Sequence, residues 1–276
     1  MEPAANECIL CGGADRRLLI EQSPWRVHRC ASCGLGVLDP RPDEEELARL
    51  YAADYFLDQY DGGLKPGSPE MKQRIGLEKH RVRFFRGMKK RGRVLDIGCG
   101  MGYFLQACRE AGYDVSGIDI SEASAGYVRN ELAIPVLTGA IDEIDLPEGS
   151  VDVVTMWHFL EHAPDPRIYL AKARRWLKAD GLIVVDVPNF EGTDARKSWE
   201  NWKGWQLPFH LYHFTPDTLT ALLARHGFRA IRKKDYLSEF VKEKLDAIPM
   251  IKLLSRPVAQ LFSGHSIAIL ARKEAM

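Results

Sequence analysis

The first chemistry in the chain lies in one aspartate–glycine run, Asp96-x-Gly98-x-Gly100-x-Gly102, with Asp119 seventeen residues after the last glycine. Glycines at a turn permit positive φ and let a ligand approach the backbone closely. A helix starting there offers free N–H groups to a carboxylate or a phosphate. A carboxylate at Asp119 can accept hydrogen bonds from both hydroxyls of a ribose. The elements that must position these groups can be read around them. Val94, Leu95 and Ile97 form the short apolar run of a buried parallel strand. Tyr103, Phe104 and Ala107 open a helical pattern, and a second strand, Tyr113 to Ile118, ends at Asp119. Two nucleotide fingerprints fail. The dinucleotide pattern needs a third glycine where Tyr103 stands, and the P-loop lysine and hydroxyl are missing.

The D-x-G-x-G-x-G run resembles motif I of the class I S-adenosylmethionine (SAM)-dependent methyltransferases. The resemblance implies an α/β fold, a Rossmann-like seven-stranded sheet with helices on both faces, over residues 91–276 with an insertion at 239–262. It implies that Asp96 helps hold the methionine end of SAM and Asp119 its ribose. The implied cofactor site comprises Asp96, Gly98, Cys99, Gly100, Tyr103, Phe104, Asp119, Ile120, Ala140, Ile141 and Trp157. Related enzymes often carry an acid two positions after the third strand, against the adenine. Here that place is Ala140, with Asp142 two further on, so backbone at Ala140 and Ile141 is the expected contact.

Four of the six cysteines occur as Cys8-x-x-Cys11 and Cys30-x-x-Cys33, each pair followed by glycine. Two such knuckles separated by 18 residues match a tetrahedral structural zinc site; two unrelated redox or buried pairs are the alternative. Four thiolates leave no open position, so the metal expected at Cys8, Cys11, Cys30 and Cys33 is structural. Val27-His28 and Leu35 to Leu38 read as ribbon strands within residues 1–42. Residues 43–90 read as a helical lid or linker: a helix opening at the acidic Asp43 to Glu46, the aromatic Tyr51, Tyr55, Phe56 and Tyr60, a loop at 61–69, and a basic helix from Glu70 to Lys90. The aromatics are either core or a lid over the cofactor; the basic residues read as a solvated face.

Further strands are expected at Ile134–Leu137, Val151–Met156, Leu182–Val187, Phe228–Lys234 and His265–Arg272, the last two antiparallel. Ligands of open α/β sheets bind at the carboxyl ends of strands, so the residues after the fourth strand should face the site. These include His158-x-x-Glu161-His162. An inverted zinc-protease motif would read the same way, but its place after this strand argues against that. The stretch resembles the L-E-H-x-x-D segment of methyltransferases, including ubiquinone-pathway O-methyltransferases. Some of those use E-x-x-E-H for a divalent cation; here His158 replaces the first glutamate. A histidine here suits general-base work; the alternative is that Glu161 and His162 only hydrogen-bond the loop. After the fifth strand come Trp199, Trp202, Trp205, Phe209, His210, Tyr212, His213 and Phe214, either a staple on the sheet or a cover for the acceptor. The run QLPFHLYHFT resembles the histidine-bearing stretch of sugar methyltransferases. The tyrosine and glutamate of C-methylating members are absent at Leu207 and Phe209. His210 is the leading base candidate, with His213 behind it in this stretch; His210 or His162 is expected to take the proton, and His158 is a further candidate.

Composition bounds the rest. The 276 residues are 46% hydrophobic and 28% charged, with 38 basic against 38 acidic side chains. This neutrality argues against a dedicated nucleic-acid binder. No long apolar run or signal-peptide layout is present, which predicts a cytoplasmic protein. Residues 239–262 are amphipathic and broken by Pro249 and Pro257; they read as packing or a dimer contact, with a membrane surface as the alternative. The expected activity is transfer of the SAM methyl group to a small-molecule, glycan or lipid-linked acceptor, at oxygen. Two rivals are an rRNA or tRNA methyltransferase using the ribbon's Arg16, Arg17, Arg26 and Arg29, and a non-catalytic SAM-binding or zinc-ribbon interaction protein.

Overall fold

A computed structural model describes residues 7–43, 46 and 63–274. The expected helix after Asp43 and the aromatics Tyr51, Tyr55, Phe56 and Tyr60 fall outside these residues, apart from isolated positions.

Two sheets organise the chain. The larger has seven strands, formed by β4 (Arg93–Ile97), β5 (Asp114–Asp119), β6 (Val136–Thr138), β7 (Val151–Trp157), β8 (Leu177–Pro188), β10 (Phe228–Leu237) and β11 (Ser263–Lys273). Their order is β10-β11-β8-β7-β4-β5-β6. β11 runs antiparallel between β8 and β10; the other pairs are parallel. The expected Rossmann-like methyltransferase sheet is therefore present. Every residue of β7 is buried, as a central parallel strand requires. β4 pairs with β5 on one side and β7 on the other, so the strand order reverses there, the point at whose carboxyl ends open α/β sheets bind ligands.

The helices follow their caps. Ser68 caps α1 (Pro69–Arg86), Ser121 caps α3 (Glu122–Glu131), Asp165 caps α4 (Pro166–Trp176), and a Thr215/Thr218 capping box opens α6 (Pro216–Arg225). α2 (Tyr103–Glu110) starts directly from the glycine turn. α1 ends at Arg86, short of Lys90. Its basic residues are not all solvated: Arg74 and Arg81 turn onto Glu78, which is buried, and Arg81 lies 4.9 Å over the Trp157 ring. The third strand of the sequence reading shifts to Val136–Thr138, because Ala133 takes positive φ and Pro135 lacks an N–H.

The smaller sheet has the order β1-β2-β3-β9, from β1 (Arg16–Gln22), β2 (Trp25–Cys30), β3 (Gly36–Leu38) and β9 (Tyr212–His213). The sequence reading missed β1 and the partnership with β9. Gly36 pairs with His213 and Val37 with Tyr212, and the Leu38 N–H donates to the Leu211 carbonyl at 3.0 Å. A side-chain carbon at Gly36 would lie 2.8 Å from the His213 Cβ, so this pairing needs glycine. The cysteine-bearing sheet thus clamps the loop that carries His210 and His213.

Candidate active site

The cofactor side forms at the end of β4. Asp96 is buried, and its Oδ1 accepts a 2.6 Å hydrogen bond from the Thr155 hydroxyl on β7. Burial raises the Asp96 carboxyl well above the usual carboxylate range, against that hydrogen bond and the charge of Arg81. An incoming ammonium group would restore its charged form. Gly98, Gly100 and Gly102 all take positive φ, and a side-chain carbon at Gly98 would run into the Phe159 ring. Asp119 ties the turn to β5: Oδ2 accepts from the Gly100 N–H at 2.7 Å and Oδ1 from the Ser121 N–H at 2.9 Å. Burial raises its pKa, and these donors oppose the rise.

The remaining cofactor candidates gather around this turn. The Tyr103 hydroxyl accepts from the Leu64 N–H at 2.9 Å, and the Tyr127 hydroxyl donates to the Leu64 carbonyl. Gly63 and Leu64 thereby pack against the glycine turn. Phe104 meets Trp157 edge-on at 5.4 Å, and Cys99 is buried against Gly117. Ile120 and Ala140 are exposed, while Ile141 is buried.

The opposite wall follows β7. His158 sits directly after the strand with φ 52°, in the left-handed region that β-carbon-bearing residues occupy only when surroundings enforce it. Glu161 and His162 follow in a short 3-10 turn, Leu160–His162. The 206–214 loop is fastened to this turn: the Leu211 N–H donates to the Glu161 carbonyl at 2.8 Å, and His162 Nδ1 donates to the Phe209 carbonyl at 3.0 Å. His210 Nδ1 donates to the Gly204 carbonyl at 2.8 Å, and the His162 and His210 rings meet edge-to-face at 4.6 Å. Ligand atoms of Glu161, His162 and His210 all lie within 4.8 Å of one another, a set that can hold a cation. Glu161 is only 1% exposed, and neither carboxylate oxygen has a hydrogen-bond partner among the described residues.

His158 bridges to a second buried acid. Its Nδ1 lies 3.6 Å from Glu161 Oε1, and its Nε2 lies 3.9 Å from Asp186 Oδ1; both are ion-pair contacts rather than hydrogen bonds. Asp186 ends the apolar run of β8 fully buried, and its Oδ2 accepts from the Tyr236 hydroxyl at 2.8 Å. Partial desolvation lowers the His158 pKa, but Asp186 and Glu161 outweigh it, and the net shift is upward. Burial lowers His162, and lowers His210 much further with help from His162 and His213. Burial drives His213 to about 3; it packs in the interior at 5.2 Å from Trp205. The tryptophans form a nest around Trp205, with Trp199 and Trp202 at 5.3 and 5.2 Å, and Trp202 faces His265 at 5.3 Å. The sequence reading missed Asp186, Tyr236, His265 and Arg81. Asp186 had a visible signal, a carboxylate inside an otherwise apolar strand like Asp96 in β4.

The four ribbon cysteines converge, with all Sγ atoms within 4.8 Å and the Cys8–Cys33 and Cys11–Cys30 pairs at 3.5 Å. A tetrahedral zinc with Zn–S of about 2.3 Å needs sulfurs ~3.8 Å apart, so the set fits. Both knuckles close through glycines at positive φ, with Gly12 and Gly34 donating to the carbonyls of Cys8 and Cys30.

Comparison with known proteins agrees with this geometry. A family described as a methyltransferase domain matches residues 71–233. A probable SAM-dependent methyltransferase of Mycobacterium tuberculosis is 31% identical over 137 residues, 49% of this chain and 48% of that protein. The chain thus spans about half the length of such curated relatives. A ubiquinone biosynthesis O-methyltransferase of Idiomarina loihiensis is 34% identical over 154 residues, 53% of this chain and 61% of that protein. Among solved structures, a SAM-dependent methyltransferase from Archaeoglobus fulgidus aligns over 80% of this chain and all of its own, at 28% identity and a TM-score of 0.56. With the glycine turn, its two acids, the strand order and the family match in agreement, the chain belongs to the class I SAM-dependent methyltransferases.

Proposed function

We propose that the chain methylates an oxygen of a hydroxyl-rich small-molecule or glycan acceptor, with His162 as the base, and that Cys8, Cys11, Cys30 and Cys33 hold a structural zinc. One observation carries the acceptor assignment. Glu161 and Asp186 bring three buried carboxylate oxygens without hydrogen-bond partners among the described residues to the strand ends, beside His158 and His162. Buried acceptors of this kind call for donors; the exposed His158 and half-buried His162 beside them mark where a hydroxyl-bearing acceptor would enter. SAM supplies an electrophilic methyl group. The acceptor oxygen forms the new bond to that carbon as the sulfur–carbon bond breaks, and the acceptor proton passes to His162. Its Nδ1–H on the Phe209 carbonyl selects the tautomer in which Nε2 accepts. His162 is preferred to His210 and His213 because it alone of the three is not fully buried. His158, its pKa raised by Asp186 and Glu161, stands beside both acids at the acceptor side.

His162→Gln is expected to lower kcat by roughly 100- to 10,000-fold with SAM affinity unchanged. The base must be neutral, and its pKa is lowered, so wild-type activity should hold below pH ~6.5 and fall only as pH drops through that depressed value. Release of S-adenosylhomocysteine with a panel of hydroxylated acceptors measures both; an unchanged kcat removes His162. The 4.8 Å convergence of Glu161, His162 and His210 favours a second reading, a divalent cation at the acceptor. Turnover that fails after chelation and returns with magnesium or manganese would select it. The RNA alternative has weaker support: Arg16, Arg26 and Arg29 of the ribbon already face Asp39, Glu21 and Glu191.

A further inference from the structure

The segment between β10 and β11 leaves an apolar surface at the same edge of the sheet as the candidate active site. It runs as α7 (Glu239–Asp246), a 3-10 turn (Pro249–Leu254) and α8 (Ser255–Ala259). Leu237 pairs with Ser263 and Ser266 pairs with Pro188, so both junctions stand beside the carboxyl end of β8. The base is fixed: the Ser238 hydroxyl bonds to buried Asp194, and the N–H groups of Glu239 and Phe240 donate to the same carboxylate at 3.2 and 3.4 Å. Beyond it, Met250 is 94%, Leu253 95% and Leu261 81% exposed, with Ile248, Leu254 and Phe262 also open to solvent. Scattered exposed apolar residues are ordinary, but a cluster within one short segment marks an interaction surface.

Charge identifies the occupant. From Ala247 to Phe262 there is no aspartate or glutamate, and the charged residues are Lys252 and Arg256, both exposed. Among the described residues neither is paired with a carboxylate. A second copy of the chain fits less well, because a two-fold contact centred on Lys252 and Arg256 would bring these cations against their own equivalents, while the neighbouring acid Asp246 is already engaged by Ser255 and Lys242. A bilayer with anionic headgroups matches both features, since apolar tips enter the interface while flanking cations meet lipid phosphates. No helix among the described residues is long and apolar enough to cross a membrane, so the contact is a surface one.

We infer that residues 248–262 dock the protein on an anionic membrane surface, through Met250, Leu253, Leu261 and Phe262 with Lys252 and Arg256 at the headgroups. Docking there brings the strand ends to the bilayer and favours a lipid-linked acceptor. That consequence rests on the methyl-transfer reading; docking itself does not.

The test is co-sedimentation of the full chain with vesicles of phosphatidylcholine alone or with roughly one-third phosphatidylglycerol. Wild type is expected to bind the anionic vesicles. The fully exposed pair Met250→Ser/Leu253→Ser should lose about tenfold or more, and Lys252→Ala/Arg256→Ala about 10- to 30-fold with most of the salt dependence. SAM affinity, measured alongside, should be the same in all three proteins. Wild type that stays in solution, or a serine variant that sediments like wild type, overturns the inference. Self-association abolished by the serine variant, with no vesicle binding, overturns it in favour of a second copy.

Discussion

Replacing Asp119 by alanine should weaken SAM binding by at least about 100-fold, measured by calorimetry on the folded variant. The side chain acts twice. It would accept from the ribose, and it already accepts from the N–H groups of Gly100 and Ser121. Removing it loses the charge-assisted ribose bonds, roughly 1.5–3 kcal/mol each, and also leaves two donors at the glycine turn without partners, which loosens the turn that receives the cofactor. Asp119→Asn keeps the shape and one acceptor oxygen, so its loss should be smaller, about tenfold. An alanine variant with native circular dichroism and SAM affinity within about threefold of wild type would break the assignment of Asp119.

Cys30→Ser carries the second large effect. It removes one of four converging sulfurs at the end of β2, and the expected result is loss of bound zinc. Structural zinc sites in peptides are worth roughly 10–16 kcal/mol; losing even about 4 kcal/mol of this here would lower Tm by ~10 °C. The damage should also reach the chemistry. β3 pairs with β9, and the loop before β9 carries His210 and donates to the Glu161 carbonyl. Turnover should therefore fall well beyond the loss of folded protein, while SAM affinity stays near wild type because Asp96 and Asp119 belong to the other sheet. Zinc content, a melting curve and SAM titration on one preparation separate these effects. A variant that keeps one zinc and the wild-type Tm contradicts the four-sulfur site.

What the sequence disclosed and what it concealed divide by range. The Asp96–Gly102 turn and the capped helices were legible because their chemistry is local: a glycine forced to positive φ, a hydroxyl three residues before an N–H. The cysteine pairs were legible because each knuckle is complete within a few residues. The convergence of Glu161 and His162 with His210 was not, because it depends on which surface of the 206–214 loop meets the 3-10 turn. Nothing in that loop's pattern specifies β9, a two-residue strand borrowed by the ribbon sheet. The sequence places His210 over the acceptor, yet the ring is almost wholly enclosed, with its Nδ1 fixed on Gly204. Asp186 is hidden in a run whose pattern is that of an apolar strand. A carboxylate in such a run has to be satisfied by something, and among the described residues one oxygen is, by Tyr236.

Native mass spectrometry of the full purified chain, with and without added SAM, tests the central claim most directly. The account predicts one zinc per chain as isolated, and one SAM or S-adenosylhomocysteine per chain once SAM is added. A chain that carries zinc but takes up neither ligand at saturating SAM would contradict the methyltransferase reading and leave the ribbon as an interaction module.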